Sequence, residues 1–182
     1  MKRVFLYTFL CFCSIVIVVA CQKWKDKPPG SDPRLTNPYC NDPLAVNYNW
    51  GFPGRPDDSV CFYPTDVFKG VYVFNDSVLL SDNTFSYAQI DTLHFYALTK
   101  SKLGITGFCA GGDTLKMSVD AALKPTVDSV VGNGQILCSG LDTISGYLNR
   151  NLGDTTGKTI AITFTSNTPS GILIHNGNAI KQ

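Results

Sequence analysis

Seven cysteines, two histidines and fourteen aspartates hold the reactive chemistry of this 182-residue chain, which has no glutamate. A nucleophilic serine or cysteine needs a histidine beside it, oriented in turn by an acid. Only His94 and His175 offer that base. No G-x-S-x-G elbow occurs, and Ser139-Gly140 follows Cys138 without the preceding glycine that such a turn requires. His94 alternates with Leu93 and Phe95, which predicts a solvent-facing strand residue. His175 opens the run His175-Asn176-Gly177-Asn178, turn chemistry that is expected to leave its imidazole in water. Paired aspartates can act as acid and base on a glycosidic bond, yet no two of the fourteen stand apart from turn contexts. Gly111-Gly112-Asp113 and Gly132-Asn133-Gly134 lack both the Lys-Ser/Thr ending and the helix of a phosphate loop. The formal charge of +1 gives no field for nucleic acid. No catalytic residue is assigned, and a non-enzyme is expected.

The cysteines say more. Lys2 and Arg3 precede a low-charge apolar run from Val4 to Ala20 that ends in Val18-Val19-Ala20-Cys21. A basic start, an apolar middle and a small residue at the cut predict a secretory signal peptide over residues 1–20. Ala20-Cys21 resembles the lipobox of bacterial lipoproteins. That resemblance implies cleavage before Cys21 and a diacylated thioether on its sulfur, often with an acyl chain such as palmitate on the new amine. One chain anchors marginally, whereas two or more hold stably. The alternatives are an uncleaved signal anchor and plain secretion with Cys21 free. Loss of Lys2 and Arg3 would move the formal charge from +1 to −1. Residues 21–37 read as a flexible tether, mildly basic at Lys23-Trp24-Lys25-Asp26-Lys27 and then broken by Pro28-Pro29-Gly30. Bacteroidetes-type lipoproteins displayed outward often have an acidic run after the cysteine. This tether is basic, so outer-membrane or cell-surface anchorage is expected with the periplasmic face left open.

Cys11 and Cys13 leave with the signal peptide, so Cys40, Cys61, Cys109 and Cys138 remain. An even remainder in an exported chain implies two disulfides. Of three connectivities, Cys40–Cys61 with Cys109–Cys138 is favoured, because each pair brackets a self-contained segment. The segment 38–65 resembles a short module of exported Bacteroidetes-type proteins, C-x-D-P-x-A-x-N-Y-N followed by D-D-G-S-C-x-Y. The matches are Cys40, Asp42, Pro43, Ala45, Asn47, Tyr48, Asn49, Asp57, Asp58, Cys61 and Tyr63. Ser59-Val60 replaces Gly-Ser, and Trp50 to Pro56 is longer than the pattern. The resemblance implies an extracytoplasmic location and says little about activity. Asp42, Asn47, Asn49, Asp57 and Asp58 supply clustered oxygens of the kind Ca²⁺ takes, though not at EF-hand spacing. The other use of such side chains is to cap turns. No further cofactor is expected.

From Val67 the hydropathy alternates with period two. Ile160, Ile162 and Phe164 alternate with threonines and an alanine, Leu115, Met117 and Val119 with Lys116 and Ser118, and Leu93, Phe95 and Ala97 with His94 and Tyr96. Further strands are predicted over 69–74, 103–108, 127–131, 135–138, 143–148 and 171–175. Asp-Thr at 91–92, 113–114 and 142–143 should start strands. Turns are expected at Asp82-Asn83, Gly111-Gly112-Asp113, Gly132-Asn133-Gly134 and Asp154-Thr155-Thr156-Gly157. The fold class is all-β, a single antiparallel sandwich or small barrel over 66–182. Phe68 to Phe74 resembles the first strand of small exported domains with a lipocalin-like start. Tyr72, Phe74, Phe85, Tyr87, Tyr96 and Tyr147 outnumber what one face buries; core packing is expected for most of them, and any left exposed could stack on a glycan or an envelope protein. The expected function is anchored, non-enzymatic binding or scaffolding. A glycan hydrolase and a carrier of a small apolar ligand are the alternatives.

Overall fold

The computed structural model describes residues 32–49, 53–129, 134–150 and 156–182. The signal peptide, Cys21 and the tether through Ser31 lie outside the described residues, as do Gly132-Asn133 and Asp154-Thr155. The chain divides into two compact units. In the first, the described residues 32–37 and 53–55 include a 3-10 turn, Pro33–Thr36. Asp32 caps it by accepting from Arg34 N at 3.0 Å and pairs with the Arg34 guanidinium at 2.7 Å.

The elements in chain order are β1 (Pro38–Tyr39), β2 (Arg55–Pro56), a 3-10 turn (Asp58–Val60) and α1 (Pro64–Phe68). The long sheet follows as β3 (Gly70–Leu80), β4 (Phe85–Thr99), β5 (Lys102–Thr106), β6 (Leu115–Val119) and β7 (Pro125–Val127). It continues as β8 (Gln135–Ile136), β9 (Thr143–Arg150), β10 (Thr159–Thr168) and β11 (Gly171–Lys181). Strands β3, β4, β5, β6, β7, β9, β10 and β11 follow one another around a ring, and β11 pairs with β3 to close it. Every pairing is antiparallel, and β8 lies outside the ring on β9. The second unit is thus a closed eight-stranded barrel, the barrel alternative of the fold expected from sequence.

Alternation explains the closure. Tyr72 and Phe74, Leu93 and Phe95, Leu103 and Ile105, then Leu115, Met117 and Val119 are buried and share one core. Ile144 and Leu148, Ile160, Ile162 and Phe164, and Ala179 complete it. Each of the Val, Leu, Ile, Phe and Met side chains among them contributes roughly 1.5–3 kcal/mol when fully buried. An eight-stranded barrel has an interior about as wide as the side chains that fill it. Phe68 of α1 joins this core, and Thr65 Oγ1 donates to Lys100 O at 3.3 Å, so α1 covers the barrel end at the β4–β5 turn.

Several boundaries differ from the sequence expectations. β3 runs on to Leu80 and β4 starts at Phe85, so Asp91-Thr92 lies within a strand and does not begin one. The turn between them has Asn83 at φ 64° and Asp82 Oδ1 accepting from Thr84 N at 3.0 Å. β11 passes straight through His175-Asn176-Gly177-Asn178, so that run is not a turn. β7 occupies Pro125–Val127 and overlaps the predicted span 127–131 only at Val127.

Both disulfides take the favoured pairing, Cys40–Cys61 and Cys109–Cys138, with Cα atoms 4.8 and 5.1 Å apart. The first is reinforced by Asn47, whose Nδ2 donates to Val60 O and whose Oδ1 accepts from Phe62 N, each at 2.7 Å. Asp42 Oδ2 accepts from Lys100 Nζ at 2.6 Å and from Tyr63 Oη at 3.0 Å, tying the cysteine-framed segment to the barrel.

Gly146 shows what closure demands of the backbone. It lies opposite Phe164, at φ 141°, and a Cβ there would sit 2.2 Å from Thr163 O. Gly146→Ala is expected to cost about 1–3 kcal/mol or more, as strained backbone does. Gly140→Ala, with nothing within 4 Å of its Cβ position, should stay within about 0.5 kcal/mol of wild type. Urea unfolding of both variants checks this.

Candidate functional site

The inward positions of β3 read Tyr72, Phe74, Asp76 and Val78, so period two carries a carboxylate into the barrel. Register decides its neighbours. Asp76 lies opposite Gly177 of β11 and Gln89 of β4, while Asp91 of β4 lies opposite Phe74. His175 of β11 lies opposite both Val78 and Phe164. Directly opposed residues share a face, so Asp76, Gln89, Asp91 and His175 gather on the inner face, near the end remote from α1. Gly177 permits the close strand approach: a Cβ there would lie 1.9 Å from Asn75 O.

Asp76 is 1 % exposed and His175 6 %. His175 Nδ1 and Asp76 Oδ2 are 2.6 Å apart. A carboxylate at Nδ1 favours the tautomer protonated there and fixes the ring's orientation. Gln89 Nε2 donates to Asp76 Oδ2 at 3.2 Å and to Asp91 Oδ2 at 2.9 Å. Asp76 Oδ1 is buried without a hydrogen-bond partner. The Phe108 ring packs edge-on against His175 at 4.9 Å and against Phe164 at 5.3 Å, and the Cys109–Cys138 disulfide follows it directly in the chain. Burial, and then the like charge of Asp76, push the Asp91 carboxyl above the ordinary carboxylate range, against the hydrogen bond from Gln89.

Chemically, this is an oriented imidazole and two carboxylates joined by one amide. Among the described residues, no serine, threonine or cysteine hydrogen-bonds to His175. The Gln89 amide nitrogen occupies the place between the two carboxylates.

His94 is exposed on the outer face of β4, as expected from its alternation. His175 corrects the expectation of a solvated turn residue: it is buried because β11 continues through it. The signal that could have found it is the alternation Leu173, His175, Gly177, Ala179. Of the six aromatics expected mostly in the core, Tyr72 and Phe74 belong to it, whereas Phe85, Tyr87, Tyr96 and Tyr147 are exposed because their strand positions face outward or lie at hairpin ends.

The oxygen-rich segment is engaged in turn chemistry. Asp42 Oδ1 accepts from Leu44 N at 2.9 Å and Asp57 Oδ1 from Ser59 N at 3.0 Å. Lys100 beside Asp42 holds its carboxyl below the ordinary range. Asn49 N donates to Cys40 O at 3.1 Å, and Asp58 O accepts from Cys61 N at 3.2 Å. Among the described residues, no three His, Cys, Asp or Glu side chains converge as metal ligands.

No family model matches this chain, and no curated protein matches it. Among solved structures, it is similar to a redesigned beta barrel, with TM-score 0.38 and 14 % identity over 65 % of this chain and 95 % of that one. A de novo designed fluorescence-activating beta barrel gives TM-score 0.36 and 15 % identity over 65 % of this chain and 96 % of its own. A structural-genomics protein of unknown function from Bacteroides ovatus gives TM-score 0.37 and 14 % identity over 86 % of this chain. This chain spans 52 % of that protein's length.

A carboxyl whose folded pKa is raised binds its proton more tightly in the fold than in the unfolded chain. Stability is therefore lost as pH rises from the unfolded value through the raised one. Asp91→Asn is expected to raise the melting temperature at neutral pH. The gain should vanish in acid below the ordinary carboxylate range, where both states hold the proton. Melting curves across pH check this, and a destabilised variant at neutral pH would contradict it.

Proposed function

We propose that this chain is a lipid-anchored, non-enzymatic binding module of the cell envelope, held by acyl chains on Cys21 at the outer membrane or cell surface. The observation that supports binding from the outside is the apolar surface of the hairpins. Tyr72, Phe74, Phe95 and Phe164 are buried inside the barrel, a fold that is also compatible with the alternative of a small-ligand carrier. On the projecting hairpins Phe85 is 64 % and Ile90 71 % exposed, with Leu80, Tyr87 and Ile172 nearby in sequence or register. Such residues suit an envelope protein or a glycan. The hydrolase alternative needs room for a glycosidic oxygen between its two carboxylates, and the Gln89 amide takes that room. Two disulfides fit an oxidising compartment outside the cytoplasm.

Mass spectrometry of protein extracted from membranes is expected to find a chain starting at Cys21 with two or three acyl groups. Cys21→Ser should move the protein to the soluble fraction. Recovery of an unmodified chain starting at Met1, or release of sugars from envelope glycans by the pure protein, would overturn this function.

A further inference from the structure

β4 outruns one of its two neighbours. It pairs with β3 from Phe85 to Phe95, but with β5 only from His94 onward. Just past β5, Gly107 comes so near that a Cβ on it would sit 2.1 Å from Thr92 O. From Ile90 back to Phe85, no strand lies along the far side of β4 among the described residues. We propose that a second copy of this chain adds its own β4 to this open edge, antiparallel and about a two-fold axis.

The direction of the backbone groups carries the assignment. Successive residues of an antiparallel strand aim their N–H and C=O alternately at one neighbour and at the other. On β3, Val71 O accepts from Gln182 N, and Asn75 O lies against Gly177 of β11, so these odd-numbered residues face β11. Tyr72, Phe74, Asp76 and Val78 therefore face β4, opposite Leu93, Asp91, Gln89 and Tyr87. Ala88 and Ile90 lie between those bonded residues and aim their own N–H and C=O off the open edge. Thr92 has the same parity and aims at Gly107. Among the described residues, nothing hydrogen-bonds to the edge groups of Ala88 or Ile90. Such an edge is a template for another strand, which proteins usually blunt with Lys, Pro or a bulge. Tyr87 to Ile90 contain neither residue, and the register shift of this hairpin lies nearer its tip, between Val78 and Leu79.

The side chains along the edge suit a second copy. Phe85 to Ile90 carry no charge, so two copies meet there without repulsion. A two-fold axis at Gln89 sets Ala88 opposite Ile90 of the second copy, and each such contact exchanges a pair of backbone hydrogen bonds. A small side chain then faces a large one. On the other face, the exposed Tyr87 comes opposite Asp91 of the second copy, a phenol donor against a carboxylate. A foreign strand would meet the backbone groups alone.

The pairing does not depend on the acyl anchor, so its failure and the failure of the envelope assignment are separable. The test measures the mass of the full chain in detergent by sedimentation equilibrium, with micelles in excess over protein. So short a contact falls below the standard interface size, and dimers are expected at about 500 µM with monomers at about 5 µM. Hydrogen exchange of the backbone amides is read at the same two concentrations. Ala88 and Ile90 should exchange at least about twofold more slowly at the higher one, whereas Gln89, bonded to β3, should not change. Ala88→Pro removes an edge N–H and no β3–β4 hydrogen bond, so it is expected to fold and to stay monomeric. Should it not fold, the exchange rates of the wild type decide alone. The proposal is overturned by dimers that leave Ala88 and Ile90 unprotected, or by Ala88→Pro dimers as strong as those of the wild type. A monomer at both concentrations also overturns it and leaves the edge to a foreign strand.

Discussion

An eight-stranded barrel has an interior wide enough for inward side chains or one small ligand, so the inward residues decide what it contains. What occupies that space sets how the barrel is held together. Here the β3 sequence divides the interior into two zones. From Tyr72 to Phe74 the inward positions are aromatic and meet Leu93, Phe95 and Ala179, sealed at that end by α1. At Asp76 the lining changes, and the next inward neighbours across the sheet are Gln89, Asp91 and His175. The first zone holds the apolar core, and the second gathers the buried polar side chains.

The polar zone is costly by itself. A buried carboxylate is tolerated when its acceptors are met by donors. His175 and Gln89 meet one oxygen of Asp76 and leave the other unmet. Phe108 lies over the histidine and beside Phe164, shielding the pair from water where the barrel would otherwise be open. The Cys109–Cys138 disulfide adjoins Phe108, so an oxidising environment and an intact polar zone belong to one design.

Much of the scaffold was legible in the sequence, because burial enforces period two wherever a strand is apolar on one side. Ile160, Ile162 and Phe164 announced their strand, and cysteine parity with bracketing announced both disulfides. The polar zone was hidden for a physical reason. Asn75-Asp76-Ser77 and His175-Asn176-Gly177-Asn178 have turn composition, yet both lie within strands whose inward positions have exchanged apolar for polar side chains. Local composition gives no hint of this, since the stabilising partners are ninety-nine residues apart in the chain. Closure was likewise beyond local reading, because it depends on β9 pairing with β10 and β11 with β3.

All of this rests on a carboxylate and an imidazole meeting inside the wall of the barrel. Long-range ¹⁵N–¹H NMR of the two histidine rings probes that meeting, with exposed His94 as the internal control. His175 is expected to show one tautomer, protonated at Nδ1, with a ring proton in slow exchange with water. His94 should average between tautomers. If the two rings behaved alike, both averaging and both exchanging freely, the inner face described for Asp76 and His175 would be wrong.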